Sequence, residues 1–283
     1  MVDDFSDAIL LRHPYRRSMF DLEPHGPDTF VGQGPKYPWG GLYGGQIVAQ
    51  SLMAAAETVS DDAFRSHSVR AYFIRRGDHS EPIRFEVDRI RNGRSFVTRR
   101  VVARQSIGAI LNAECSFQIN ESSTTVQSIG MPAVPDPDRF ENTSFSSHFD
   151  RRSIDQEDVH GSRDGIGRVT AWARVVESLD RRPVHHQCWL AYISDDLPAD
   201  AVRTAHRTAW SGFEDLHGTS LDHTIWFHRP HRADDWHLYD FTCHHFVGSR
   251  GLAVGHVFAR DGVHVATVAQ EVLLREPLDV RSG

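Results

Sequence analysis

Lysine is almost missing from this chain of 283 residues: of its 31 lysines and arginines, only Lys36 is a lysine. Coding bias accounts for that as simply as function does, since phosphate recognition would need only two or three guanidinium forks. No basic block or aromatic–basic stripe occurs, and the net charge of −7 argues against nucleic acid as a partner. Cysteine is scarce too. Cys115, Cys188 and Cys243 are odd in number and far apart, so a disulfide framework is excluded and free thiols in a reducing compartment are expected. No apolar run nears the roughly 20 residues of a membrane helix. The opening MVDDFSDAILLRHPYRRSMF lacks a signal-peptide layout, and the closing DVRSG carries no prenylation or peroxisomal address. A cytoplasmic protein without stable membrane insertion is the expectation.

Histidine, by contrast, is plentiful at 18 residues. Neighbours such as His185–His186 and His244–His245 would point to opposite faces of a strand, and no HExxH or Cys/His finger spacing occurs. Neither a metal nor a cofactor is expected. The glycines of GGLYGG (40–45) permit a tight loop leading into a helix over about 46–59, with Ile47, Val48, Leu52, Ala55 and Ala56 at helical spacing. They follow neither a Rossmann nor a P-loop pattern, so the nucleotide reading is weak.

Strand-like alternation follows at 69–74, 83–91, 94–104 and 109–117. Asn92–Gly93 predicts a hairpin with a type I′ turn, whose two central residues need positive φ. The next stretch, 121–165, is rich in Ser, Asp and Pro and reads as a surface-packed linker holding Phe140, Phe145 and Phe149. After it the pattern repeats: a strand at 168–177, a helix within 184–203 ending near Pro198, then strands at 220–227, 236–245, 251–259 and 263–274, the last two joined at Asp261–Gly262. At an offset of 156, Arg94 falls on Arg250, Phe96 on Leu252 and Val101 on Val257. The order of elements predicts a duplication, with units over 1–120 and 166–283.

One stretch draws attention as a site. SLDHTIWFHRP (220–230) sets a serine, an aspartate and a histidine within four residues. Strict alternation would place Ser220, Asp222, Thr224 and Trp226 on one face and turn His223 away, so a nucleophilic triad inside the strand is disfavoured.

Several long blocks, in order, resemble the type II (TesB-type) acyl-CoA thioesterases: GGLYGGQIVAQSLMAAAETV, HSVRAYFIRRGD, PIRFEVDRIRNGRSFVTRRVVARQ, LAYISD, SLDHTIWFHRP and RDGVHVATVAQEVLLR. The resemblance implies an α+β double hotdog, two units of a helix wrapped by an antiparallel sheet, that hydrolyses fatty acyl-CoA to free acid and CoA. It also implies a homodimer or higher homo-oligomer. It places a water-holding triplet at Asp195 of the YISD block, Ser220 before LDH, and Gln270 of the last-strand QE pair. That fits the chemistry, because a thioester carbonyl is electrophilic enough for direct attack by water. Gly44 and Gly45 are candidates for the oxyanion, and Arg94 and Arg250 for the CoA phosphates, although structural ion pairing suits the arginines equally. Bland readings stay open: Asp195–Asp196 as solvated helix-end acids, Ser220 as a strand-start hydroxyl, Gln270 as a satisfied core amide.

The internal alignment sets Ala54, Phe64 and Glu114 at the triplet positions of the first half, which predicts one site per chain. Residues 242–251 lack the usual Ser-Pro and Val272 stands where glycine is usual, putting local shape in question. A hotdog hydratase acting on enoyl-CoA through an Asp/His pair, or a non-catalytic acyl-CoA binder, remain as alternatives.

Overall fold

The computed structural model describes residues 18–160, 167–180, 182–206 and 217–275. The lead-in expected over 1–30 falls outside them up to residue 17. In the first half, β1 (Glu23–Pro24) and β2 (Thr29–Gly32) precede helix α1 (Gly44–Glu57). Then come β3 (Phe64–Phe73), β4 (Ile83–Asn92), β5 (Phe96–Gln105) and β6 (Gly108–Ile119). The second half holds β7 (Phe149–Ile154), β8 (Arg168–Val175), α2 (Pro183–Ser194) and α3 (Pro198–Ala205). It closes with β9 (His217–Ser220), β10 (Asp222–Phe227), β11 (His237–Val247), β12 (Arg250–Ala259) and β13 (His264–Arg275).

Every pairing is antiparallel, and the strands lie in the order β1-β2-β4-β5-β6-β3-β10-β13-β12-β11-β8-β7, with β9 also on β13. The two halves are thus read outward from a shared centre, where β3 meets β10 with Tyr72 opposite Asp222 and Ser68 opposite Trp226. This is the double-hotdog architecture expected. Segment 121–165 does more than bridge: β7 extends the sheet beyond β8, and Phe149 is fully buried.

Helix α1 is buried along its whole face-to-face circumference from Gly45 to Ala55, because the sheet covers one side and α2 the other. Alanines and Ser51 make that close approach possible. Two glutamines survive there because their amides are satisfied. Gln46 Nε2 donates to Gln50 Oε1 at 3.1 Å, Tyr37 Oη donates to Gln46 Oε1 at 2.8 Å, and Gln50 Nε2 donates to the Met19 carbonyl at 2.8 Å.

Two local expectations are corrected. The helix of the second half stops at Ser194 and a separate helix begins at Pro198, whose ring cannot continue the preceding turn. Both hairpins form, but neither uses a type I′ turn. Asn92 and Gly93 have no positive φ, and at β12–β13 only Gly262 does (88°). There the Gly262 N–H reaches the Ala259 carbonyl at 2.8 Å, a type I turn closed by one left-handed glycine.

Candidate active site

The site forms where the start of α1 lies beside the end of α2. Asp195 is the C-cap of α2 and is 8% exposed. A carboxylate at a helix C-terminus is ordinarily unfavourable, but here the positive end of α1 faces it. Tyr43, the N-cap of α1, supplies no side-chain cap, and the first turn of α1 holds no acidic residue. Asp195 takes that role from the other half: the Gly45 N–H donates to its Oδ2 at 2.7 Å. The approach is so close that a Cβ on Gly44 would lie 2.7 Å from Asp195 Oδ2, and one on Gly45 would lie 2.4 Å from the Tyr192 carbonyl. The Gly45 N–H is thus engaged by the carboxylate and is not turned toward a substrate oxygen.

Asp195 Oδ1 is buried and meets no donor at hydrogen-bond distance among the described residues. Ser220 and Gln270 lie near enough to the carboxylate to favour its charge without closing a bond to that oxygen. Burial dominates nonetheless and pushes the Asp195 carboxyl up to about 7, with Gly45, Gln270 and Ser220 opposing it.

Gln270 is fully buried on the inward face of β13, and its Nε2 donates to Ser220 Oγ at 2.7 Å. Its Oε1 contacts His223 Nδ1. Sequence alternation turned His223 away from Ser220, and the structure reverses this. Ser220 pairs with Val272, whereas Thr224 pairs with Ala269, so one extra residue is accommodated near Leu221. That bulge shifts the phase, placing Ser220 and His223 on the inward face and Asp222 on the outer one, where its Oδ1 accepts the Glu271 N–H at 2.7 Å. His223 is fully buried, and burial draws its pKa down to about 4. Its Nε2 lies 2.9 Å from Ser194 Oγ. Sequence reasoning missed His223 and Ser194 because a bulge has no reliable sequence mark.

Neither acid of the helix end is solvated. Asp196 turns the other way and pairs with Arg151 at 2.7 Å, with burial raising its carboxyl to about 6 against the pull of that guanidinium. Beside it an aromatic wall of Tyr37, Trp39, Tyr43, Phe145 and Tyr192 packs at ring distances of 4.9 to 6.2 Å.

The arginine candidates separate. Arg250 sits at the near end of β12 but is paired with Glu271 at 2.9 Å on the outer face. Arg94 is exposed at the β4–β5 turn. Phe96 pairs with Gln118 and Phe64 with Ile119, at the end of β3 far from the Tyr72–Asp222 pair. Eight residues of strand, about 25 Å, separate them. Val272 points inward opposite Ser220. A cavity of about 640 Å³ lined by Arg174, His231, Trp236 and Arg260 lies elsewhere and includes none of the triplet.

Pairing also corrects the internal equivalences. β3 carries a matching irregularity between Ser66 and Ser68, with Ser66 opposite Phe117. Counting from that bulge, Ser66 corresponds to Ser220 and Cys115 to Gln270, while the C-cap of α1, Thr58, corresponds to Asp195. Glu114 points outward and Phe64 lies at the strand start. Ala253 pairs with Gln270, and its counterpart is Arg99, which pairs with Cys115. Arg99 is 1% exposed and its guanidinium donates to Thr58 Oγ1 (2.7 Å), the Thr58 carbonyl (3.2 Å) and Asn92 Oδ1 (2.7 Å). The first-half counterpart of the site is therefore filled by a side chain.

Two family models match the chain. The acyl-CoA thioesterase N-terminal domain family matches residues 34–118, and the acyl-CoA thioesterase C-terminal domain family matches 128–274. The chain belongs to the type II acyl-CoA thioesterase family. Mouse acyl-coenzyme A thioesterase 8 is 34% identical to it, covering 94% of this chain and 90% of that protein. Acyl-CoA thioesterase 2 of Haemophilus influenzae is 31% identical over 83% and 87%. The crystal structure of the acyl-CoA thioesterase II TesB2 of Mycobacterium marinum superposes with a TM-score of 0.82 at 35% identity, covering 92% of this chain and 98% of that one. These three relatives are matched over most of their own length.

Proposed function

We propose that this thioesterase-family chain hydrolyses fatty acyl-CoA thioesters by direct attack of a water held between Asp195, Ser220 and Gln270. The observation that carries the reading is Asp195 Oδ1, a buried carboxylate oxygen with no partner, beside two donors already ordered by each other. The carboxylate accepts a proton as the water oxygen bonds to the thioester carbon. The Gln270 amide has a second N–H, and together with the Ser220 hydroxyl it steadies the water and the developing negative charge. When the tetrahedral adduct collapses, the carbon–sulfur bond breaks and the proton passes from Asp195 to the departing thiolate. Water and thioester become acid and thiol, with no covalent enzyme intermediate. A carboxyl raised to about 7 suits both halves of that exchange.

A hydratase would need His223 as partner to Asp195, and the two are 4.0 Å apart. Both imidazole nitrogens are already engaged, by Gln270 and Ser194, which disfavours that use. Thiol release measured over a series of acyl-CoA chain lengths tests the activity, and Asp195→Asn should lower it at least about a hundredfold. Undiminished turnover in that variant removes the mechanism, and binding without turnover by the unmodified protein removes the activity. The same reading includes a cytoplasmic site of action in fatty acid metabolism. Among the described residues no helix is long and apolar enough to cross a membrane. It also includes a homo-oligomer, supported by Tyr72, 64% exposed opposite Asp222 at the sheet centre. Light scattering would measure its size.

A further inference from the structure

We propose that His223 is a positioning residue of the water site, held in one tautomer by Ser194 so that the Gln270 amide can face only one way. The inference rests on the hydrolytic reading of Asp195, Ser220 and Gln270. It follows from counting donors and acceptors along a chain of four side chains in which nothing is exposed to solvent except Ser220 in part.

The imidazole is neutral, since it is fully buried and among the described residues no carboxylate reaches it within hydrogen-bond distance; Asp195 Oδ1 is at 4.0 Å. A neutral ring carries one N–H. Nδ1 contacts Gln270 Oε1, an oxygen that only accepts, so the proton is on Nδ1. Nε2 must then accept, and the donor is the Ser194 hydroxyl at 2.9 Å in preference to that hydroxyl's alternative acceptor, the Ala191 carbonyl at 3.2 Å. With Oε1 occupied, Gln270 presents its NH2 to Ser220 Oγ. Ser220 accepts that bond, which leaves its own O–H free to donate toward the Asp195 side.

The other tautomer reverses every link. With the proton on Nε2, Nδ1 would accept, Gln270 would turn its NH2 toward the ring, and Oε1 would face Ser220. The Ser220 hydroxyl would be consumed as the donor to Oε1. A carbonyl oxygen would then stand beside the Asp195 carboxylate, and the site would lose both donors that steady a water or an oxyanion. Two arrangements of the ring and amide are self-consistent; the structure sets Gln270 Oε1 against His223 Nδ1 and its NH2 against Ser220, and that is the arrangement that leaves the site its donors.

The test compares His223→Leu, His223→Asn, Ser194→Ala and Asp195→Asn with the native enzyme, by steady-state thiol release and thermal melting. His223→Leu should lose kcat by about tenfold or more with KM changed less than about twofold, because the donors act on the water and not on substrate binding. Asn can donate from near the Nδ1 position, so His223→Asn should recover most of that loss. Ser194→Ala should lower kcat by less than His223→Leu does. Nitrogen NMR of the native protein should show the His223 proton on Nδ1, and a native ring with it on Nε2 overturns the inference whatever the variants do. A folded His223→Leu with native kcat, or an Asn variant no better than the Leu variant, overturns it as well. Should Asp195→Asn retain native turnover, it is the hydrolytic reading that fails, whatever the histidine variants show.

Discussion

Replacing Asp195 by asparagine should make the protein both inactive and more stable, with a stability gain that grows as the pH rises. The carboxyl is displaced by burial from 3.8 to about 7. At 1.36 kcal/mol per unit, ionising it inside the fold costs about 4 kcal/mol relative to the unfolded chain. Its folded pKa is raised, so its stabilising contribution is complete below about pH 4 and is lost as the pH climbs through about 7. Roughly 2.5 kcal/mol of that change falls between pH 5 and pH 8 by the same linkage. Asparagine can still accept the Gly45 N–H, so the helix contact is kept while the charge is removed. Urea titrations of both proteins at pH 5, 6, 7 and 8 isolate the effect, because Asp196 and every other group titrates in both. The difference in unfolding free energy should widen by about 2 to 3 kcal/mol toward pH 8, while thiol release in the native enzyme rises with pH up to about 7. A difference that stays flat with pH would refute the account of Asp195 as a buried group ionising in the fold.

Other substitutions probe the frame around it. Arg99→Met removes a buried guanidinium and strands Thr58 and Asn92, and should destabilise by about 3 kcal/mol in urea with little change in the kcat of the folded fraction. Gly45→Ala drives a Cβ to 2.4 Å from the Tyr192 carbonyl, so the helix ends must part. It should cost about 2 kcal/mol or more and lower kcat as well, since the N–H leaves Asp195. Arg151→Met leaves Asp196 buried without its cation and should destabilise by about 3 kcal/mol at pH 8. The loss should shrink toward pH 5, where a carboxyl raised to about 6 or higher takes up a proton.

The repeat, the helix before the first sheet half and the inward glutamine were all legible, because each rests on period or composition. Gln270 stands in phase with Val268 and Val272, and the structure shows all three buried. Arg99 was equally legible and passed unremarked: Val97, Val101 and Ala103 share its alternation, which marks an arginine pointing into a core. What could not be read was phase. A single accommodated residue at Leu221 puts Ser220 and Asp222 on opposite faces, and the equivalent irregularity at His67 makes Cys115, not Glu114, the counterpart of Gln270. Neither the contact between Gly45 and Asp195 nor that between Ser194 and His223 has any local signal, since each joins residues brought together only by packing.

Arginine at 99 and alanine at 253 occupy matching positions in the two units. In an assembly of identical single units, one codon would set both, and a substitution that plugged one pocket would plug its mate. Carrying the units in tandem frees them from that constraint. One copy can trade its pocket for a cation that ties down the end of α1, while the other keeps the room its chemistry needs. The asymmetry has a direction as well: the carboxylate comes from the second unit and the glycine that receives it from the first. On the proposed reading neither unit could be excised with a working site, and a substitution at Gly45 in the apparently idle half should alter turnover in the other.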